Sequence, residues 1–230
     1  MEVIGKGASG LVYRAILQSE DIQVAVKSIN IYDRDMRHQL INDLHAFTNH
    51  KLCFKGGKSR EFSCPFLVDF WGAYLDETTV KVVLEYMDRG SLQNIINIVK
   101  AKNLKVPEEI MAMLTLQMLN GLAYLHSVAG QVHLDIKPEN ILYNSKGMVK
   151  LTDFGISRDF EQSQEFMKTV VGTISYMSPE RLAAQKYNAK SDIWSLGITV
   201  IEVATGEYPL EKSRSYVQLY QYLKTTEKFG

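Results

Sequence analysis

Residues 132–142 read VHLDIKPENIL and place Asp135, Lys137 and Asn140 inside an otherwise apolar run. An unpaired charge is very costly to bury, so these polar side chains cannot all belong to a hydrophobic core. Pro138 interrupts any helix here, because proline lacks a backbone donor and clashes with the preceding turn. We therefore predict a rigid loop that holds a carboxylate, an ammonium and an amide at fixed distances from one another.

A second carboxylate follows the short apolar run Met148–Leu151. Asp153 is succeeded by Phe154 and Gly155, and glycine gives the backbone beside the acid unusual freedom to turn. Two carboxylates, an amide and a cation suit chemistry on a phosphate group that is held by a divalent metal.

The composition is that of a balanced globular chain. Its 230 residues are 46% apolar, enough to bury one sizeable core or two small ones. Lys plus Arg and Asp plus Glu both number 26, so no overall field favours nucleic acid or an anionic membrane as a partner. A cytoplasmic location is predicted from three features of the sequence. The chain has only two cysteines, Cys53 and Cys64, and it lacks both a membrane-length apolar stretch and a secretory pattern.

The glycine-rich segment Gly5–Val12 (GKGASGLV) lies between two strand-like runs. Glycines allow backbone amides to approach phosphate oxygens closely. The residues that follow, Val12–Leu17, favour a strand rather than the helix that a dinucleotide-binding fold would start here. A glycine-rich hairpin turn without a ligand remains the alternative.

Lys27 lies in the predicted strand Ile22–Ile29. Side chains alternate between the faces of a strand, so Ala25 and Lys27 are expected on one face and Val24 and Val26 on the other. An inward lysine requires an anion, and the alternative is an edge lysine whose ammonium reaches out to solvent.

A helix is predicted over Asp33–Asn49, where Asp43 falls on the apolar stripe. A carboxylate in that position calls for a cation, and Lys27 is the candidate; an exposed acid at the boundary of the stripe is the alternative. Further strands are expected at Phe66–Ala73 and Val80–Glu85. A linker follows, and then helices at Leu92–Val99 and from Pro107 to His126.

These motifs, taken in order, resemble those of a eukaryotic protein kinase. They are Gly5–Val12, Ala25-Val26-Lys27, Asp135 to Asn140, Asp153-Phe154-Gly155 and Ser178-Pro179-Glu180. The resemblance covers nearly the whole chain. It implies an α+β, bilobal kinase domain over residues 1–230, with a small β-rich N-lobe (1–86) carrying one regulatory helix and a larger, mainly helical and partial C-lobe (87–230).

Three further strings resemble the mitogen-activated protein kinase kinases: Asn42-Asp43-Leu44, Glu85–Leu92 and Gly172–Leu182. Most kinases have glutamate where this chain has Asp43, although related kinase kinases use aspartate. The resemblance implies dual-specificity phosphorylation of Thr and Tyr in a mitogen-activated protein kinase. The alternatives are a Ser/Thr kinase of another group and a nucleotide-binding pseudokinase or scaffold.

The resemblance also implies a role for each site residue. Asp135 accepts or orients the substrate hydroxyl, Lys137 stabilises the transferred phosphoryl group, and Thr173 hydrogen-bonds into the loop. Asn140 and Asp153 hold Mg²⁺. The residues expected to contact ATP are Ile4, Gly5, Lys6, Gly7, Ala8, Ser9, Gly10, Val12, Ala25, Lys27, Asp43, Leu84, Glu85, Met87, Leu142 and Asp153.

Ser163 and Thr169 match the phosphosites of the family, and an upstream kinase is their implied partner. Either hydroxyl could instead be an ordinary polar loop residue. The family has arginine before the catalytic aspartate, where this chain has Leu134, so a loop phosphate would lose a bidentate partner. Arg158 matches a second basic position that compensates in part. We expect chemistry to survive and activation by phosphorylation to be weakened.

The chain stops at Gly230, soon after a predicted helix that contains Trp194–Thr205. The helices that usually complete the second lobe, and the arginine that pairs with Glu180, are not in the sequence. We expect the chain to be either a fragment of a longer kinase or the product of a truncated gene model.

Overall fold

A computed structural model of the chain describes residues 2–7, 10–18, 20–30, 64–153, 158–159, 173–210 and 216–226. The fold is α+β, with a β-sheet N-lobe followed by a helical C-lobe, as the sequence predicted. The helix predicted over Asp33–Asn49 lies outside the described residues.

The N-lobe sheet contains β1 (Glu2–Gly7), β2 (Gly10–Leu17), β3 (Ile22–Asn30), β4 (Phe70–Asp76) and β5 (Thr79–Glu85). Its strand order is β1-β2-β3-β5-β4, and all neighbouring strands are antiparallel. The β1–β2 pairing closes at Gly7 and Gly10. The strand predicted after the glycine-rich segment is therefore confirmed.

Strand β3 lies in the middle of the sheet and is buried on both faces. Val24, Ala25, Val26 and Lys27 are all buried, so the expected alternation of faces does not appear as an alternation of burial. The alternative of an edge lysine is wrong, because β2 and β5 flank β3.

The strand predicted over Phe66–Ala73 begins later, at Phe70. The preceding residues are instead bound to the C-lobe strand β8 (Val149–Leu151): the Val68 N–H donates to the Leu151 carbonyl at 2.9 Å. Apolar composition indicates that a segment is buried. It does not distinguish strand pairing within one sheet from backbone hydrogen bonds between the lobes.

The C-lobe contains the helices α1 (Leu92–Lys102), α2 (Glu108–Ser127), α3 (Pro179–Leu182), α4 (Lys190–Thr205) and α5 (Tyr216–Thr226). It also contains the short strands β6 (Gln131–Val132), β7 (Ile141–Tyr143), β8 and β9 (Arg158–Asp159). None of the helices in the described ranges is long and apolar enough to cross a membrane.

Helix α2 supplies much of the C-lobe core through one apolar face. Its buried side chains include Met111, Leu114, Met118, Leu122 and Leu125, so both methionines contribute to the core. Glu108 and Glu109 begin the helix, where acidic side chains complement the positive end of the helix dipole.

Candidate active site

Asp192 in helix α4 hydrogen-bonds to the backbone of the loop between β6 and β7. The fully buried Asp192 accepts the backbone N–H of His133 through Oδ2 and that of Leu134 through Oδ1, both at 2.8 Å. The ring Nε2 of His126 lies 2.8 Å from Oδ2. These bonds fix the backbone just before Asp135.

Leu134 occupies the left-handed region, with a φ of 68°. A residue other than glycine costs about 1 to 3 kcal/mol in a sparsely populated backbone region, and it persists only where its surroundings impose it. The side chain is 2% exposed and packs in a cluster with Val132 and Tyr187. Backbone bonds and apolar packing together hold this conformation.

Asp135 is the centre of a hydrogen-bond network. Lys137 Nζ lies 2.7 Å from Asp135 Oδ2, and Asn140 Nδ2 donates to the same oxygen at 2.9 Å. The backbone N–H and hydroxyl of Thr173 both donate to Oδ1 at 3.0 Å. Lys137 also donates to the Thr173 hydroxyl at 2.7 Å. The residues predicted at the reacting centre are thus brought together.

Burial is the largest influence on the pKa of Asp135 and raises it. The hydrogen bond and positive charge of Lys137, together with the Thr173 N–H, outweigh burial and hold the pKa below its ordinary value. Asp135 is therefore ionised at neutral pH. An ionised carboxylate beside a cation can orient a hydroxyl group and attract its proton.

Lys27 and Asp153 form a contact between the two lobes. Lys27 Nζ, on the N-lobe sheet, lies 3.1 Å from Asp153 Oδ1, and the lysine is 9% exposed. Asp153 has a φ of 66°. The partner predicted for Lys27, Asp43, lies outside the described residues. The contact with Asp153 was not predicted from the sequence.

Asn140 and Asp153 provide oxygen atoms suited to Mg²⁺. The Thr152 N–H, one residue before Asp153, donates to the Asn140 carbonyl at 3.0 Å, so the two segments adjoin. The Asn140 amide nitrogen is used in bonds to Asp135, which leaves the side-chain oxygen as the ligand atom. No group of three His, Cys, Asp or Glu side chains in the described residues could hold a metal. This donor set fits Mg²⁺, which keeps waters and phosphate oxygens as further ligands.

Several of the residues predicted to contact ATP lie on adjoining segments. Ala25 pairs with Leu84 across β3 and β5. Leu142 on β7 pairs with Ser91, just after the linker. The neighbouring Tyr143 N–H donates to the Gly90 carbonyl at 2.9 Å. The linker that contains Glu85 and Met87 is thereby joined to β7, the strand that carries Leu142.

The glycine-rich segment meets a specific steric demand at Gly10. Its φ is 134°, and a Cβ placed there would lie 2.0 Å from the Ser28 carbonyl oxygen. Only glycine permits this approach of β2 to β3. Ile4, Gly5, Lys6, Gly7 and Val12 lie in the described hairpin, whereas Ala8 and Ser9 lie outside the described residues.

A buried charge cluster behind the linker was missed by the sequence reasoning. Lys150 on β8 is 7% exposed; its Nζ lies 2.6 Å from Glu85 Oε2 and 3.8 Å from Asp69 Oδ2. The Asp69 N–H also donates to Glu85 Oε2 at 3.2 Å. Lys150 stands three residues before Asp153, and that proximity was the only signal in the sequence. The cluster links the linker to β8, which ends two residues before Asp153.

The structure describes only some of the residues that are predicted to take part in regulation. Ser163 and Thr169 lie outside the described residues. Arg158 pairs with Val132 through its backbone, and its side chain lies outside what the structure describes. Glu180 Oε1 accepts a hydrogen bond from the Ser191 hydroxyl at 2.5 Å.

Comparisons with known proteins agree with this geometry. The family model for the protein kinase domain matches residues 1–229. The chain therefore belongs to the protein kinase family, whose members transfer phosphate from ATP, usually with Mg²⁺.

Within that family the chain is similar to mitogen-activated protein kinase kinases, as the sequence motifs indicated. Mitogen-activated protein kinase kinase 3 of Arabidopsis thaliana is 42% identical over 218 residues, which are 94% of this chain and 39% of that protein. The dual specificity mitogen-activated protein kinase kinase 1 of Dictyostelium discoideum is 37% identical over 91% of this chain and 29% of its own length.

Mitogen-activated protein kinase kinase 1c of Physcomitrium patens is 38% identical over 90% of this chain and 56% of its own length. The chain thus spans less than two thirds of the length of each of these relatives. What they have in common with it is the kinase domain.

Proposed function

We propose that this chain is the catalytic domain of a dual-specificity kinase that phosphorylates Thr and Tyr of a mitogen-activated protein kinase. The network that joins Lys137, Asn140 and Thr173 to the Asp135 carboxylate is the observation that carries the proposal. Such positioning is what phosphoryl transfer requires, because its loose transition state needs little covalent help. The relatives' names supply the substrate class.

In the proposed reaction, the oxygen of the substrate hydroxyl attacks the γ-phosphorus of ATP and the bond to ADP breaks. Asp135 orients the hydroxyl and accepts its proton, and Lys137 offsets negative charge on the phosphoryl oxygens. Lys27 holds the α- and β-phosphates. Mg²⁺, when bound by Asn140 and Asp153, neutralises charge between the phosphates.

The adenine lies between Val12 and Ala25 above and Leu142 below in this proposal. The linker backbone at Glu85 and Met87 bonds the base. The remaining predicted contacts come from the glycine-rich hairpin, Ile4 to Gly10, and from Leu84. An N-lobe of residues 1–86 and a partial C-lobe of 87–230 complete the proposed domain.

Regulation is proposed to act through Ser163 and Thr169, phosphorylated by an upstream kinase in the cytoplasm. Leu134 provides no cation for a phosphate, and its side chain is enclosed with Val132 and Tyr187. Phosphorylation is therefore expected to activate this chain less than it activates a relative with arginine at that position. Leu134→Arg should increase the activation by phosphate, and full activation of the unchanged chain would contradict this expectation.

The test is transfer of radiolabelled phosphate from Mg²⁺·ATP to a catalytically inactive mitogen-activated protein kinase. The unchanged chain should label this substrate, and Asp135→Asn should lower kcat by about 10³-fold or more while nucleotide binding persists. Asp76→Asn, which removes an exposed carboxylate at the far end of the sheet, serves as the control and should keep full activity.

Nucleotide binding without any transfer by the unchanged chain would favour the pseudokinase alternative. Transfer to Ser or Thr peptides but not to the mitogen-activated protein kinase would favour a Ser/Thr kinase of another group. Either result would refute the proposed function.

A further inference from the structure

Arg181 is a buried cation that hydrogen-bonds to the loop that carries Asp135. It lies in the short helix α3 and is 7% exposed. Its Nη1 donates to the Leu134 carbonyl oxygen at 2.9 Å, and the guanidinium carbon lies 5.5 Å from the centroid of the Tyr187 ring. None of the sequence motifs assigned a role to this arginine.

The carbonyl that Arg181 contacts belongs to the peptide unit that leads into Asp135. The N–H of that same unit, on Asp135, donates to His133 Nδ1 at 3.3 Å. A peptide unit is planar, so bonds at both of its polar ends set the orientation of the whole plane. Arg181 and His133 together determine the direction from which the Asp135 side chain leaves the backbone.

The charge of Arg181 is retained despite its burial. Burial lowers the pKa of Arg181, whereas Tyr187, Asp192, Asp135 and Glu180 act in the opposite direction. A guanidinium remains protonated in proteins. The bond to the Leu134 carbonyl is therefore charge-assisted, which makes it stronger than a bond between neutral groups.

We propose that Arg181 is a positioning residue for phosphoryl transfer, which orients Asp135 through the Leu134 carbonyl in a loop that lacks a basic side chain at position 134. The inference rests on the proposed function. Leu134 fills its site with apolar contacts to Val132 and Tyr187. The cation that orders the loop is therefore supplied from α3 and requires no phosphate.

The test compares Arg181→Met and Arg181→Lys with the unchanged chain. The measurements are kcat, the KM for ATP and the melting temperature of each variant. Arg181→Met should lower kcat about 10- to 100-fold, because small misplacements of a catalytic group cost this much. The KM for ATP should stay within about 2-fold, because the phosphate-binding groups are untouched.

The kcat of Arg181→Lys should lie between that of Arg181→Met and that of the unchanged chain, about 3-fold below the latter. An ammonium can donate to the same carbonyl but lacks the planar fork of a guanidinium. Lys186→Met, which removes an exposed cation from the residues after α3, is the matched control and should leave kcat unchanged.

A kcat for Arg181→Met within about 2-fold of the unchanged chain would overturn the inference even if its melting temperature fell. So would a loss of kcat accompanied by a similar rise in the KM for ATP, since that indicates general damage to the cleft. If Arg181→Met does not fold, Arg181→Lys decides: a 2- to 5-fold loss of kcat at unchanged KM supports the inference, and behaviour equal to Lys186→Met overturns it.

The two proposals fail differently. If the unchanged chain transfers no phosphate at all, the proposed function is refuted and the inference on Arg181 falls with it. If the unchanged chain is active and only the Arg181 result is negative, the proposed function stands.

Discussion

Replacing Asp192 with asparagine tests the anchoring of the catalytic loop. Both carboxylate oxygens of this fully buried side chain accept backbone N–H groups at 2.8 Å, from His133 and Leu134. Asparagine keeps one oxygen but turns an NH₂ group towards the other N–H. The variant loses a charge-assisted bond worth about 1.5 to 3 kcal/mol and leaves a buried donor unsatisfied at about 1 to 3 kcal/mol.

These losses sum to about 2.5 to 6 kcal/mol for Asp192→Asn. In a chain of this size each kcal/mol shifts the melting temperature by about 2 to 4 °C, so we expect a fall of roughly 10 °C. Thermal unfolding followed by circular dichroism measures the shift. Hydrogen exchange should also show faster exchange of the Leu134 amide, since Leu134 would lose restraint on its left-handed backbone.

The matched control for Asp192→Asn is Asp88→Asn. Asp88 also accepts a backbone N–H at 2.8 Å, from Ser145, but does so at the surface. Water replaces that bond, so the control should shift the melting temperature by less than about 2 °C. If Asp192→Asn unfolds within 2 °C of the unchanged chain as well, the anchoring argument is refuted.

Three other substitutions test separate features. Lys150→Met removes the ammonium 2.6 Å from the half-buried Glu85 carboxylate and should destabilise the fold by about 3 kcal/mol in urea titrations; an unchanged midpoint would contradict this. Burial, and then the charge of a neighbouring glutamate, raises the pKa of Tyr208 to about 12. The stability that neutral Tyr208 contributes is complete below about pH 10 and is lost as the pH rises towards 12. The melting temperature of Tyr208→Phe should therefore decline less steeply over that pH range than that of the unchanged chain. An equally steep decline in both proteins would contradict this expectation. Gly10→Ala places a methyl group 2.0 Å from the Ser28 carbonyl oxygen and should raise the KM for ATP several-fold; an unaltered KM would show that the hairpin adjusts.

The sequence predicted the fold and most of the catalytic network because short motifs carry both. Thr173 lies 38 residues after Asp135, and Pro138 separates Lys137 from Asn140, yet all three side chains bond to the Asp135 carboxylate. The order of the motifs along the chain, which resembles that of protein kinases, predicted that these residues would meet. Helix α2 was predicted for a different reason, since its apolar residues recur at helical spacing.

Other features depend on contacts between lobes and could not be read from local patterns. The residues before Phe70 have strand-like composition, but their backbone bonds go to Leu151 on β8. The pairing of Lys150 with Glu85 joins positions 65 residues apart. Neither apolar periodicity nor residue type distinguishes such a contact from a solvated charge.

The left-handed backbone of Leu134 is a further example. Leucine has no preference for positive φ, so nothing in its own identity predicts the value of 68°. The conformation follows from Asp192 at its N–H, Arg181 at its carbonyl and the apolar cluster around its side chain. What the sequence indicated was only that the expected arginine is missing.

The most direct test of the account is a crystal structure of this chain with Mg²⁺ and a non-hydrolysable ATP analogue. We predict that the metal bonds to oxygens of Asn140 and Asp153, that Lys27 contacts the α- and β-phosphates, and that the Asp135 carboxylate faces the γ-phosphate. Nucleotide bound elsewhere, or bound in the cleft with its phosphates away from these four side chains, would contradict the account.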